Sequence, residues 1–248
     1  MKVLLVRPEG APDDDERALR VAGFQVTSEP FIQVTPCDDP GAPARAHALL
    51  SALQGEGAWL VLTSAAGVRA LSAIVGADAL RSSLSTASAR GARFAAVGPA
   101  SAAALSDHGV DDVLTPVRAH TASALLAAMA GVPAATAVLP RSSIGDGLTP
   151  TTLEARGWTV IAEVVYETTA VAQRPANADG LARGEFDAVV LRSPSAARAV
   201  REFVGILPTS TTVIAGGPTT ALAAQRLGFT VAAVSSDSRA ASITAALA

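Results

Sequence analysis

The chain repeats itself in order, and a sequence of that kind has to fold into two similar units. The stretch LVLTSAAGVRAL beginning at Leu60 returns as VVLRSPSAARAV at Val189, and GPASAAALSDHGV at Gly98 returns as GPTTALAAQRLGF at Gly217. Arg7, Leu19, Gly23 and Val26 likewise recur as Arg141, Leu153, Gly157 and Val160. The 248 residues, half of them apolar, suffice for two cores of ordinary size, since domains usually hold roughly 100 to 150 residues. Only 4% of residues are aromatic, so Val, Leu, Ile and Ala are expected to fill those cores, as in parallel sheets covered by helices. A cleft between two such domains is where a small ligand is expected.

Composition narrows the partners. A net charge of −3 and a pI near 5.6 argue against a nucleic-acid backbone, which calls for a basic surface. Cys37 is the only cysteine, so no disulfide can form within the chain, and with three scattered histidines it cannot supply a zinc site of ordinary ligand number. The opening MKVLLVR has an apolar run too short for a secretory leader or a membrane span, which makes a cytoplasmic protein without a membrane partner the expectation. No heptad or apolar exposed stripe stands out, so a monomer is expected.

Each copy reads as four strand and helix units. VLLVR, a helix from Asp13 to Ala22 ended by Gly23, and FQVT make the first. AWLVLTS runs into a helix starting near Ser64, with Val68 and Leu71 on one face. ARFAAV is followed by Gly98-Pro99 and a helix stopping at Gly109. VDDVLTP and HTASALLAAMAG, with Thr121 as cap, close the set, and the four recur at Ala137, Asp187, Thr211 and Thr230. Either each copy folds alone, or the first unit of each joins the last three of the other. Two equivalent segments, SEPFIQVTPCDDPGAP from Ser28 and AEVVYETTAVAQRPANAD from Ala162, read as extended strands decaying into linkers. Lying side by side they would make a hinge of two crossings, which favours the swapped arrangement.

Chemistry has few places to sit. There is no GxxxxGK[ST] loop, no GxGxxG after a strand, no HExxH and no GxSxG, so a nucleotide or a metal has no support in the motifs. What remains are Ser, Thr and Gly residues at the C-terminal ends of strands, the edge at which open α/β sheets bind ligands. Ser64 and Ser193 each precede a helix, cap it, and leave backbone N–H groups free for an anion; each is equally readable as a plain cap. In GPASA and GPTTA, Gly98 and Gly217 let a ligand approach the backbone, while Ser101 and Thr220 place hydroxyls near the helix N-terminus. Arg7 and Arg141 end strands and can pair with carboxylates, with Arg192 a further candidate. His108, just before Gly109, reads as a favourable cation at a helix C-terminus rather than a base. Tyr166, the only tyrosine, lies on the strand-like EVVYETT at the junction of the copies.

Taken together, the strand ending in Arg7, Thr63-Ser64, the turn at Gly98, VVYETT around Tyr166, the SPS of Ser193 to Ser195, and GPTTA from Gly217 resemble the uroporphyrinogen-III synthase family along essentially the whole chain. The resemblance implies two doubly wound α/β domains joined by a two-stranded ladder in the swapped form. Residues 1–34 with 169–248 would make one domain, residues 35–168 the other, with the active-site cleft between them. It implies a cofactor-free lyase that cyclises the linear tetrapyrrole hydroxymethylbilane with loss of water and inversion of its last pyrrole ring. Tyr166 would assist loss of the hydroxyl, and Ser64, Ser101, Ser193, Ser195, Thr219 and Thr220 would hold substrate carboxylates with nearby backbone N–H groups. Ala66 stands where the family often has a polar or basic residue, Arg192 where a small or apolar one is common, and Ser101 where threonine is usual. The alternative from another class is a non-catalytic module that binds an anion or a tetrapyrrole.

Overall fold

Strand β1 (Lys2–Pro8) carries four buried apolar residues in succession, Val3, Leu4, Leu5 and Val6. Side chains alternate across a strand, so a run with no polar break requires cover on both faces of the sheet. The computed structural model describes residues 1–9, 14–117, 119–145, 147–235 and 240–247. After β1 come α1 (Asp14–Val21) and β2 (Gln25–Pro36), then α2 (Ala42–Leu53), β3 (Trp59–Leu62), α3 (Ala65–Val75), α4 (Ala77–Ala89), β4 (Arg93–Ala96) and α5 (Pro99–Ser106). The chain continues through α6 (Ala122–Ala128), β5 (Thr136–Ser142), α7 (Leu148–Ala155) and β6 (Thr159–Ala170). It closes with α8 (Ala178–Ala182), β7 (Ala188–Leu191), α9 (Pro194–Val204), β8 (Thr212–Ala215), α10 (Pro218–Arg226), β9 (Val231–Val234) and α11 (Ala240–Leu247).

The result is a mixed α/β fold with mostly parallel strands. Its contacts fall into two compact units, Met1–Val34 with Thr168–Ala248, and Thr35–Glu167. In the first, the strand order is β2-β1-β7-β8-β9, and β1 sits beside β7 with Leu5 opposite Val190. Leu4 and Val6 share one core with Val189, Leu191, Phe31 and the α9 residues Ala196 and Val200. Val3 and Leu5 share another with Val190, Ile214, Leu19 of α1 and Ile243 of α11. Two covered faces thus account for the unbroken apolar run. Asp13, the expected start of the first helix, lies outside the described residues, and α1 is described from Asp14.

In the second unit the order is β4-β3-β5-β6. Trp59 and Val61 of β3 pack with Leu139, with Leu125 and Leu126 of α6 and with Trp158, whose ring meets that of Trp59 edge-on at 6.2 Å. VDDVLTP forms only an isolated bridge, Leu114 to Ala95, because Asp111 and Asp112 keep its start in solvent and Pro116 has no N–H to extend the ladder. The helices α2 and α4 lie outside the fourfold pattern read from the sequence.

Duplication extends to the irregularities. The β1/β2 ladder runs in register from Lys2 opposite Gln25 to Arg7 opposite Pro30, then slips so that Pro8 faces Ile32. The β5/β6 ladder does the same, from Thr136 opposite Thr159 to Arg141 opposite Val164, then Ser142 faces Tyr166. After each slip a loop amide ties the strands: Glu9 N–H donates to Ile32 O at 2.9 Å, and Ser143 N–H to Tyr166 O at 3.0 Å. Ile32 and Tyr166 therefore occupy equivalent places. Near this point Val171 N–H, one residue past β6, donates to Phe31 O at 3.1 Å in the first unit, and Cys37 N–H, one residue past β2, donates to Val165 O at 2.9 Å in the second.

Candidate active site

The strand β3 is buried throughout, and at its end Thr63 leaves the sheet while Ser64, in extended conformation, opens α3. Ser64 Oγ accepts from Ala66 N–H at 3.2 Å, the cap that a serine between a strand and a helix is suited to make. Tyr166, on β6 and 6% exposed, belongs to the same unit, and its phenol lies near the Ser64 side chain. Arg141, at the end of β5, adds a positive charge nearby. Burial raises the phenol pKa most strongly, while the Ser64 hydroxyl and the Arg141 charge pull it down, and burial prevails. The phenol is therefore a neutral proton donor in the physiological range.

The loop after β5 folds back over its arginine. Arg141 Nη2 donates to Gly145 O at 3.0 Å, Gly145 N–H donates to Ser142 O at 3.1 Å, and Ser143 N–H holds the Tyr166 carbonyl. Between this loop, the end of β3 and the starts of α6 and α7 lies a cavity of about 80 Å³, bordered by Thr63, Ala122, Arg141, Ser142, Thr149 and Tyr166. Ser142 and Thr149 were not among the residues singled out from the sequence. Thr149 carried a readable signal, because it precedes buried Leu153 by one helical turn on the inward face of α7. The residue is 4% exposed.

One strand further on, Val97 N–H donates to Leu62 O at 2.9 Å, so the Gly98 turn lies beside the end of β3. Gly98 has an extended backbone, and a β-carbon there would stand 2.8 Å from the His120 ring. By sequence this glycine reads as room for a ligand; the neighbour found there is His120, to which no motif points. Ser101 is buried in the first turn of α5.

The first unit carries the repeated set. Ser193 Oγ caps α9 by accepting from Ala196 N–H at 3.1 Å, with Ser195 half-buried in the first turn. Gly216 N–H donates to Leu191 O at 2.8 Å, the counterpart of the Val97 bond, and sets Gly217 beside the end of β7. Among the described residues no atom lies within 4 Å of a β-carbon placed on Gly217. Thr219 is exposed and Thr220 is buried at the start of α10. Arg7 Nη2 lies 3.8 Å from the Glu16 carboxylate, and Arg192 Nε 3.1 Å from that of Asp15, so α1 presents acidic partners to both strand-end arginines. Of the expected residues, Ser64, Arg141 and Tyr166 come together in one unit, whereas Arg7, Ser193, Ser195, Gly217, Thr219 and Thr220 belong to the other. Among the described residues no three His, Cys, Asp or Glu side chains gather as a metal ion would need, and no helix is long and apolar enough to cross a membrane.

A family model described as uroporphyrinogen-III synthase HemD matches residues 13–245. Among solved structures, a mutant uroporphyrinogen III synthase from the extremely thermophilic bacterium Thermus thermophilus aligns with a TM-score of 0.59 at 21% identity, covering 99% of this chain and 97% of that one. The uroporphyrinogen-III synthetase of Helicobacter pylori 26695 aligns with a TM-score of 0.59 at 15% identity, covering 98% and 96%. At those identities the likeness is one of fold. No curated protein matches the chain.

Proposed function

Since the chain belongs to the uroporphyrinogen-III synthase family, whose members are cyclising lyases acting on hydroxymethylbilane, we propose that Tyr166 is the group that donates a proton to the departing hydroxyl. The observation that carries this reading is the placement of the chain's one tyrosine: buried, neutral, and near both the Ser64 hydroxyl and the Arg141 charge. As the C–O bond breaks, the proton passes from the phenol to the leaving oxygen and water departs. The substituted carbon of the last pyrrole ring then attacks the carbon left electron-poor, giving a spiro intermediate that opens and recloses with the ring inverted. Proton loss from the ring carbon at the end restores the phenol. A donor with a pKa at or above about 10 suffices, because an electron-rich pyrrole already expels its hydroxyl readily.

The remaining work is orientation. The strand-end groups of each unit, Ser64, Gly98, Ser101 and Arg141 in one and Arg7, Ser193, Ser195, Gly217, Thr219 and Thr220 in the other, hold carboxylates of the substrate. Helix N-termini favour an anion by roughly 0.3 to 1 kcal/mol each, so several of them allow an acidic protein to bind a polyanion. The same proposal has the chain working as a cytoplasmic monomer; sedimentation giving a single 24.8 kDa species supports it, and a larger species would overturn it. The functional test is to supply freshly made hydroxymethylbilane and separate the oxidised porphyrin isomers. Type III product above the spontaneous type I background is expected; type I alone would remove the assignment.

A further inference from the structure

The two copies differ at a pair of positions that change together. Thr63 and Thr149 border the cavity of the second unit. Their counterparts in the first unit are Arg192, which precedes Ser193 as Thr63 precedes Ser64, and Asp15, which precedes Leu19 as Thr149 precedes Leu153. Arg192 and Asp15 meet as an ion pair, Nε to Oδ2 at 3.1 Å, with side chains 24% and 21% exposed. Leu5 faces Val190 and Val6 faces Leu191, so Arg7 and Arg192 come next at the ends of adjacent parallel strands, on the face that Leu5 and Val190 share with Leu19 of α1. Neighbouring guanidinium groups repel unless anions stand by them, and α1 supplies those anions from two consecutive residues. The match is incomplete. Arg7 Nη2 stops 3.8 Å from Glu16 Oε2, the other oxygen of that carboxylate is held by Arg20 at 2.8 Å, and Arg192 Nη1 is buried with no hydrogen-bond partner among the described residues. Buried donors are nearly always paired, so this N–H calls for an acceptor that α1 does not provide.

We propose that the first unit blocks an oxyanion site with a carboxylate of its own: Asp15 occupies Arg192 until an external oxyanion takes its place and frees the first turn of α1. An oxyanion with several acceptor atoms meets the donors that Asp15 leaves unmet, because it can accept from Nη1 as well as Nε of Arg192 while lying close to Arg7. Asp15 is suited to give way. A partly exposed ion pair is weak and exchanges readily, whereas an acidic side chain in the first turn of a helix stays favourable without the arginine. The second unit has threonines at both places, so this internal competitor belongs to the first unit alone. The block therefore makes two copies of one fold unequal towards anions. It rests on the functional reading above only where the oxyanion is a carboxylate of the substrate.

Sulfate is the probe. In the full-length protein labelled with nitrogen-15, the side-chain Nε–H signal of Arg192, assigned by its loss in Arg192→Thr, is expected to move saturably with sulfate and not with chloride at equal ionic strength. Asp15→Asn keeps the size of the side chain and removes its charge. It should bind sulfate at least roughly 5-fold more tightly, because one exposed ion pair and the repulsion between two neighbouring anions are each worth up to about that factor. Asp15→Thr, the exchange taken from the other copy, should reproduce the gain and covers an Asn variant that fails to fold. Glu16→Gln should gain less, since its contact with Arg7 is the longer one. With hydroxymethylbilane, removing an internal competitor should lower KM by a larger factor than it changes kcat, a direction that loss of a merely structural contact would not give. Equal sulfate affinity in the wild type and both Asp15 variants, or an Arg192 signal that sulfate moves in none of them, would overturn the block. Type III product without any sulfate response would do so while sparing the assigned reaction. A response strengthened by Asp15→Asn in a protein that makes only type I would keep the block and remove the reaction.

Discussion

The buried phenol of Tyr166 lies near Ser64, the residue whose Oγ caps α3. The proposed proton donor and a helix N-terminus, which attracts anions, thereby meet at one serine. Removing the phenol tests the donor most directly. Tyr166→Phe retains the ring packing, so the fold should change little, while turnover on hydroxymethylbilane should fall by about 10- to 100-fold, at or below the low end of general-acid effects. Residual enzymatic product should remain type III. Full activity would make Tyr166 a packing residue, and a switch to type I would make its role one of substrate orientation.

Ser64→Ala separates the two roles of the serine. Loss of the cap should lower stability by about 0.5 to 2 kcal/mol, read from denaturant midpoints. Loss of the hydroxyl beside Tyr166 should raise the phenol pKa further, since that hydroxyl pulls it down. Tyrosinate absorbance, with one tyrosine in the chain, reads the second effect alone. An unchanged titration would show that Ser64 does not act on the phenol in solution.

The raised phenol pKa also fixes the sign of a stability change at high pH. An unfolded tyrosine ionises near about 10, before the folded one does, so the unfolded state gains from ionisation first. The Tyr166 contribution should be fully present below about pH 10 and be lost as pH rises through the higher folded value. Denaturant midpoints of the wild type, measured against Tyr166→Phe across that window, should fall faster. Parallel curves would contradict the burial of the phenol.

Gly98 and Gly217 hold equivalent places and extended backbones, yet the structure assigns them different tolerance. A β-carbon on Gly98 would meet His120 Cγ at 2.8 Å, while one on Gly217 would meet no atom of the described residues within 4 Å. Gly98→Ala should therefore cost about 1 to 3 kcal/mol through overpacking. Gly217→Ala should stay within about 0.5 kcal/mol, as an uncrowded substitution does. His120→Ala in the Gly98→Ala background should recover most of the loss; thermal denaturation of the four proteins checks the cycle.

What the sequence made legible was whatever leaves a local mark. Trp59 to Leu62 followed by Thr63-Ser64, and Ala188 to Leu191 followed by Arg192-Ser193, announce a buried strand and a capped helix by composition alone, and both stand where expected. Pairings over distance left no such mark. The slip at Arg141 and Ser142 involves a single residue and no unusual side chain, so nothing in LPRSS marks the register at which Tyr166 is held. His120 reaches Gly98 across a connection with no periodicity to fix it. Thr149 sat on a readable apolar face, but a threonine there looks like any half-buried helical residue until a cavity is found beside it.

The slipped register has a consequence for how this chain divides its labour. The same backbone feature holds Ile32 in one half and Tyr166 in the other, each with its carbonyl bound by the amide two residues beyond the strand-end arginine. Both halves thus own the mould for a reactive side chain, and only one is cast. The isoleucine is buried at 2% exposure within the apolar core of its unit, whereas the tyrosine borders a cavity that Arg141, Ser142 and Thr149 also line. Symmetry of the backbone and asymmetry of the chemistry are therefore separable properties here. A repeated fold keeps a spare copy of its most demanding local geometry, with an aliphatic side chain where the other copy holds a phenol.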